Sequence, residues 1–174
     1  MEPKQIYLGK EVRLGQNCVL TGRVTMGDGS SAWHNVVIRG DVEPVTIGKR
    51  CNIQDNSVIH GQLGKHSVTI GDDVSIGHGC ILHGCELADH SFIGMGAIVM
   101  NGAYIGNHVL VGAGSLVPEG KRFDEPYSLV LGRPAKVLRK LNEKEIAMIE
   151  GTPKRYLDYA QKWLPPSAEN DGKG

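Results

Sequence analysis

The chain has 174 residues, with 19 Lys and Arg against 19 Asp and Glu. Balanced charge excludes the basic footprint of a nucleic-acid or anionic-membrane binder, and no run of about 18 apolar residues offers a membrane span. The start, MEPKQIYLGK, lacks the apolar stretch of a secretory signal, so one soluble cytoplasmic domain is expected.

The first elements are set by a six-residue ladder. Aliphatic or small apolar residues recur at Leu14, Leu20, Met26, Ala32 and Ile38. After an insertion the count resumes at Ile47, Ile53 and Ile59, and after a second at Ile70, Ile76 and Leu82. A step of five leads to Leu87, and sixes then run through Ile93, Val99, Ile105, Val111 and Val117. Two residues before each stands a small or β-branched side chain, and all four cysteines (Cys18, Cys51, Cys80, Cys85) fall in this second series. With no CxxC spacing they read as small buried thiols, not as ligands or disulfides.

Alternation within each hexad suits a short strand, and Gly or Asn between hexads suits a turn. Repeated 17 times, the unit specifies an all-β solenoid, a parallel β-helix over residues 1–120. Beyond Pro118 the ladder stops, and residues 121–164 read as a return segment with C-terminal helices packed alongside. Asn142 and Glu145 form a capping-box pattern for a first helix, and Thr152-Pro153 marks the start of a second. Tyr156, Tyr159, Ala160 and Trp163 share a face of that second helix. Residues 165–174, ending in SAENDGKG, have the composition of a disordered tail.

Coil arithmetic places the histidines. With three hexads to a coil, residues about 18 apart lie one above another, insertions added. The segment NIQDNSVIH (52–60) aligns without gaps on SIGHGCILH (75–83), so His83 stacks over His60, and one coil earlier falls Arg39. By the same offset His78 stacks over Asp55, beside Gln54, on the preceding side. Side chains on adjacent coils lie about 4.8 Å apart along the axis, close enough to share a metal ion. His78 faces a different side, so a third imidazole at the same ion calls for a neighbouring chain. That contact joins two unlike patches, and a three-fold rotation closes it into a ring. The expectation is a homotrimer with His60 and His83 from one subunit and His78 from the next. Three imidazoles with one open position suit catalytic Zn²⁺, and Fe²⁺ or Co²⁺ also accept imidazole. His34, His66, His90 and His108 read as surface residues, with His66 an alternative proton shuttle.

The stretches VVIRGDV, NIQDNSVIHG, IGHGCILHGC, FIGMGAIVMNG, VGAGSLVPEG and LGRPAKVLR resemble the gamma-class carbonic anhydrases, especially the short bacterial branch of these hexapeptide-repeat proteins. The resemblance covers roughly residues 8 to 164. It implies a left-handed β-helix, a trimer, and zinc held by His60, His78 and His83. It places Arg39 and Asp41 at an intersubunit salt bridge beside the site, and Gln54 and Asp55 near the metal-bound water. The implied reaction is reversible hydration of CO₂ to bicarbonate by a metal-bound hydroxide, a carbonate dehydratase activity. The insertion GQLGKHS carries no carboxylate, and Val42 stands where an acidic residue follows Asp41 in the archaeal form. Slow turnover is therefore expected. A metal-dependent acyl-CoA thioesterase or a hexapeptide-repeat acyltransferase is the second reading, and a non-catalytic metal carrier the third. Plain acyl transfer needs one catalytic histidine, which disfavours it against three converging ones.

Overall fold

The computed structural model of the chain describes residues 5–166. The chain winds into a parallel β-solenoid of about seven turns followed by one C-terminal helix. Each complete coil lays one short strand in each of three columns. The first column holds Val58–His60, Ile81–His83, Ile98–Val99 and Leu116–Val117. The second holds Val68–Ile70, Glu86–Leu87, Tyr104–Ile105 and Arg122–Phe123. The third runs from Arg13–Leu14 through Ser31–Ala32, Asn52–Ile53, Ser75–Ile76, Phe92–Ile93 and Leu110–Val111 to Ser128–Gly132. Two longer strands, Val19–Met26 and Val37–Ile47, bend across a corner and join the first two columns in one 11-stranded sheet.

The ladder residues become the core. Ile38, Ile53, Ile59, Ile76, Leu82, Ile93, Val99, Ile105, Val111 and Val117 are fully buried, because alternate residues of a strand face the same way. The second series fills the space between them. Burial pushes the thiols of Cys51 and Cys85 up to about 12 and that of Cys80 up to about 11. All four cysteines are free thiols. At one corner Asn17, Asn35 and Asn56 adopt φ of 60°, 59° and 62°, a left-handed conformation asparagine tolerates. Their side chains bond coil to coil, Asn17 Nδ2 donating to Asn35 Oδ1 at 3.1 Å and Asn35 Nδ2 to Asn56 Oδ1 at 3.2 Å.

Two expectations are corrected. The solenoid does not end near residue 120: Arg122–Phe123 pairs in parallel with Tyr104–Ile105, and Ser128–Gly132 with Leu110–Val111. Phe123 stands six after Val117 and Val130 seven after Phe123, so an aromatic residue and one longer step hid the last coil. Ala135–Lys140 then folds back antiparallel on Ser128–Gly132. The C-terminal region is one helix, Glu143–Trp163, and not two. The Asn142–Glu145 capping box starts it as expected, but Thr152 and Pro153 lie inside it, both buried against the solenoid. Thr152 Oγ1 donates to the Met148 carbonyl at 2.6 Å. Packing of this face outweighs the hydrogen bond that a proline nitrogen cannot make. Trp163 is 66 % exposed and Tyr159 44 %, so only Ala160 of the expected face is buried, with Tyr156 half-buried. Pro166 bridges Arg13; residues 167–174 of the expected tail lie outside the described residues. No helix among the described residues is long and apolar enough to cross a membrane.

Candidate metal centre

The column expected from spacing is formed. Arg39 pairs with His60, and His60 with His83, in adjoining parallel strands. Each residue directly follows its buried aliphatic and so points outward. The two imidazoles meet with His60 Nδ1 and His83 Nε2 3.2 Å apart. Each ring is held from behind. His60 Nε2 lies 3.0 Å from Asp41 Oδ1, and His83 Nδ1 lies 2.6 Å from Asn101 Oδ1.

These partners settle which nitrogens carry protons. A carboxylate oxygen and an amide oxygen only accept, so His60 donates from Nε2 and His83 from Nδ1. In the neutral rings the facing nitrogens, His60 Nδ1 and His83 Nε2, are then lone pairs. Two lone pairs at that distance repel unless a cation or proton lies between them. Two nitrogens bonded to a tetrahedral ion at about 2.0–2.1 Å stand about 3.3 Å apart, close to the spacing found here. The pair therefore fits half of an imidazole-bound metal site, with a carboxylate and an amide as the outer partners such sites use. Among the described residues, no three His, Cys, Asp or Glu side chains of one chain converge to hold a metal ion.

Arg39 and Asp41 lie on the same strand, with Gly40 between them. Arg39 donates to Asp41 Oδ2 from Nε at 3.1 Å and from Nη2 at 2.8 Å. Asp41 thus uses one oxygen for Arg39 and the other for His60. The Arg39 hydrogen bond, with help from His60, holds the Asp41 carboxyl below the usual carboxylate range. Gly40 is required by packing: a Cβ there would lie 2.1 Å from the Arg23 carbonyl oxygen on the neighbouring coil.

His78 lies at the preceding corner, stacked over Asp55 as expected, with Nδ1 2.9 Å from Asp55 Oδ2. Its side chain is nearly half exposed. Gln54, beside Asp55, is 5 % exposed. Its Nε2 donates to Asn52 Oδ1 at 3.0 Å, and Asn52 Nδ2 donates to Ser75 Oγ at 2.8 Å. That relay fixes the amide, and its Oε1 has no hydrogen-bond partner among the described residues.

Two residues at this site were missed. Asn101 is one position off the histidine column and reaches His83 only because Gly84 is bare; a Cβ on Gly84 would lie 2.7 Å from Asn101 Oδ1. Glu43 brings a carboxylate to the insertion that has none of its own, accepting from the Gly64 backbone N–H at 2.8 Å. His66 packs over Gly102, its Cε1 3.2 Å from where a Cβ would stand. The surface reading fails for His108. It is 8 % exposed, stacks on His90 at 4.7 Å between ring centroids, and lies equally close to the Tyr127 ring. His34 caps a turn, Nδ1 accepting from the Gln16 N–H at 3.0 Å.

Hexad coils in three parallel columns, with an oriented imidazole pair on one side, define a hexapeptide-repeat solenoid. Family models agree: residues 84–119 match the bacterial transferase hexapeptide (six repeats), and residues 44–83 the hexapeptide repeat of succinyl-transferase. A Methanocaldococcus jannaschii protein named probable carbonic anhydrase is 49 % identical over 154 residues, 88 % of this chain and 96 % of that one. A Geobacillus kaustophilus carbonic anhydrase is 46 % identical over 142 residues, 82 % of this chain and 77 % of that one. The crystal structure of a hexapeptide transferase family protein from Anaplasma phagocytophilum superposes with a TM-score of 0.87 at 36 % identity, covering 91 % of this chain and 93 % of that one. The chain belongs to the gamma carbonic anhydrase family.

Proposed function

We propose that this protein is a zinc-dependent carbonic anhydrase, interconverting CO₂ and bicarbonate at a site completed between subunits of a homotrimer. The observation that carries the metal reading is the pair of imidazole nitrogens, His60 Nδ1 and His83 Nε2, facing each other at 3.2 Å. His78, exposed on the adjoining corner and braced by Asp55, is the third ligand, reaching the pair on a neighbouring chain. The first column supports that neighbour: Val58 and Ile81 are 37 % and 42 % exposed on the same side as the two histidines. Apolar side chains in such a row suit an interface more than open water.

Zinc held there by His60, His83 and a neighbouring His78 would supply a nucleophile near neutral pH by lowering the pKa of a bound water to about 7. The chain's own groups do the rest. Gln54, its nitrogen engaged by Asn52, leaves Oε1 as an acceptor that would orient a hydroxyl group held at the centre. Arg39 keeps Nη1 free while Nε and Nη2 hold Asp41, and it draws the anionic product by charge. Asp41 positions both Arg39 and His60. Glu43, beside the insertion, is the carboxylate best placed to accept a released proton, a role for which His66 is the second choice.

The test is stopped-flow CO₂ hydration on protein loaded with Zn²⁺, Fe²⁺ or Co²⁺, together with metal analysis. The expected result is activity with bound metal, and loss of both in His83→Ala. Hydration unaffected by that change would overturn the proposal.

A further inference from the structure

Between the C-terminal helix and the third column lies a cavity of about 390 Å³. At about 30 Å³ per water it has room for roughly a dozen waters, far more than CO₂ requires, and falls within the range of small-molecule sites. Phe92, Leu110 and Met148 supply apolar walls. Gln54 and His78 form part of the rim toward the adjoining corner. Arg155 is the cationic side chain on the lining. Its Nη2 donates to Thr152 Oγ1 at 2.8 Å, and no carboxylate among the described residues pairs with it. An unpaired guanidinium beside a hydrocarbon wall is half of a recognition pair, since it offers charged donors at the edge of an apolar surface.

We propose that this cavity binds a small amphipathic carboxylate, its carboxylate on Arg155 and its hydrocarbon tail against Phe92, Leu110 and Met148. CO₂ has neither charge nor tail and bicarbonate has charge without a tail, so this ligand class is additional to the hydration reaction. All of its lining comes from one chain, and Arg155, Phe92, Leu110 and Met148 lie outside the proposed metal centre, whereas Gln54 and His78 on its rim belong to it. Gln54 is shared with the site proposed above, so an occupant is felt there. A bound acid that carries an amide or hydroxyl has Gln54 Oε1 as its acceptor.

Trp33 gives a readout independent of activity. Its ring packs edge-on against Tyr156, which lines the cavity, with centroids 5.5 Å apart. Replacing the other tryptophan, Trp163→Phe, leaves Trp33 as the only indole. Hexanoate is titrated into this metal-free protein at constant ionic strength, following Trp33 emission and saturation-transfer NMR of the hexanoate methyl group. The expected result is saturable binding, with acetate (charge without tail) and hexanol (tail without charge) each at least tenfold weaker. Arg155→Met weakens hexanoate at least tenfold and leaves hexanol unchanged, whereas Arg155→Lys retains hexanoate binding. Met148→Gln, at a partly exposed position, weakens hexanoate and leaves acetate unchanged. Absence of saturable hexanoate binding by both readouts, or equal binding of hexanoate and acetate, overturns the proposal. So does wild-type affinity in Arg155→Met.

Discussion

Asn101 acts on the far nitrogen of His83 by occupying the near one. By accepting from Nδ1 at 2.6 Å it keeps Nε2 bare and fixes the plane of the ring. Asn101→Ala frees the ring to turn and to exchange its proton, and outer partners of this kind are worth about 10–100-fold in metal affinity. Competition with a zinc chelator should show that loss, while circular dichroism shows an unchanged fold. A variant with undiminished zinc affinity would mean that His83 is held by other means. Residue spacing made the histidine column legible, because each member follows a ladder aliphatic. Asn101 was not legible, because it sits one step off the column and crosses the space left by Gly84. His108 was misread for the opposite reason. It stands 18 after His90 and belongs to a column, a signal that neither histidine carries alone. Desolvation first, and then the neighbouring His90, lower its pKa against the pull of Glu150 3.7 Å away. A lowered folded value means that the unfolded chain binds the proton more readily. Stability from this group is complete above about pH 6.5 and is lost as pH falls through the folded value. Thermal melts should therefore fall more steeply below pH 6.5 in the wild type than in His108→Asn. Asparagine is the replacement because it tolerates the φ of 52° at this position.

The helix is held at its start by local chemistry and along its length by packing. Asn142 Oδ1 accepts from the Glu145 N–H at 3.0 Å, and Glu145 Oε2 accepts from the Asn142 N–H at 2.9 Å. Glu145 also takes two bonds from Arg139, each at 2.8 Å. Arg139 first, then the Asn142 backbone, brings the Glu145 carboxyl down to about 2. Asn142→Ala removes one half of the box and should cost about 1 kcal/mol, or about 2–4 °C in Tm for a chain of this size. Glu145→Gln should lose its effect selectively, being destabilising at neutral pH and progressively less so as pH falls toward and below 2, where the wild-type carboxyl becomes protonated. The same helix offers a gain. Gly151 has no atom within 4 Å of the position a Cβ would take, so Gly151→Ala should add about 0.5–1 kcal/mol in chemical denaturation. The capping box was legible because its signal lies within four residues. The passage through Pro153 was not, because what favours it is burial against a solenoid that spacing alone does not display.

At the scale of the molecule, a solenoid divides its surface into sides, and function depends on which sides meet. The three columns followed from the sequence because one residue in six is apolar whatever the others are. The assembly of sides between chains does not follow from periodicity. The third column is covered by the helix, through Ile149, Thr152, Pro153 and Ala160. The second column presents polar or charged groups such as Thr69, Glu86 and Arg122. The first keeps Val19 47 % exposed along with Val58 and Ile81, and it carries His60 and His83. In the proposed trimer this is the side that faces a neighbour, so a charge placed there disrupts assembly without touching a ligand. Ile81 points outward between two coils and lies in the strand of His83. Ile81→Glu should leave the solenoid folded, because its side chain is not part of the core. It should shift the mass in analytical ultracentrifugation from trimer to monomer. Zinc affinity should fall at least tenfold in the same variant, since His60 and His83 remain while His78 of another chain is withdrawn. A monomer that binds zinc as tightly as the wild type would show that one chain completes its own site, and the shared centre would be wrong.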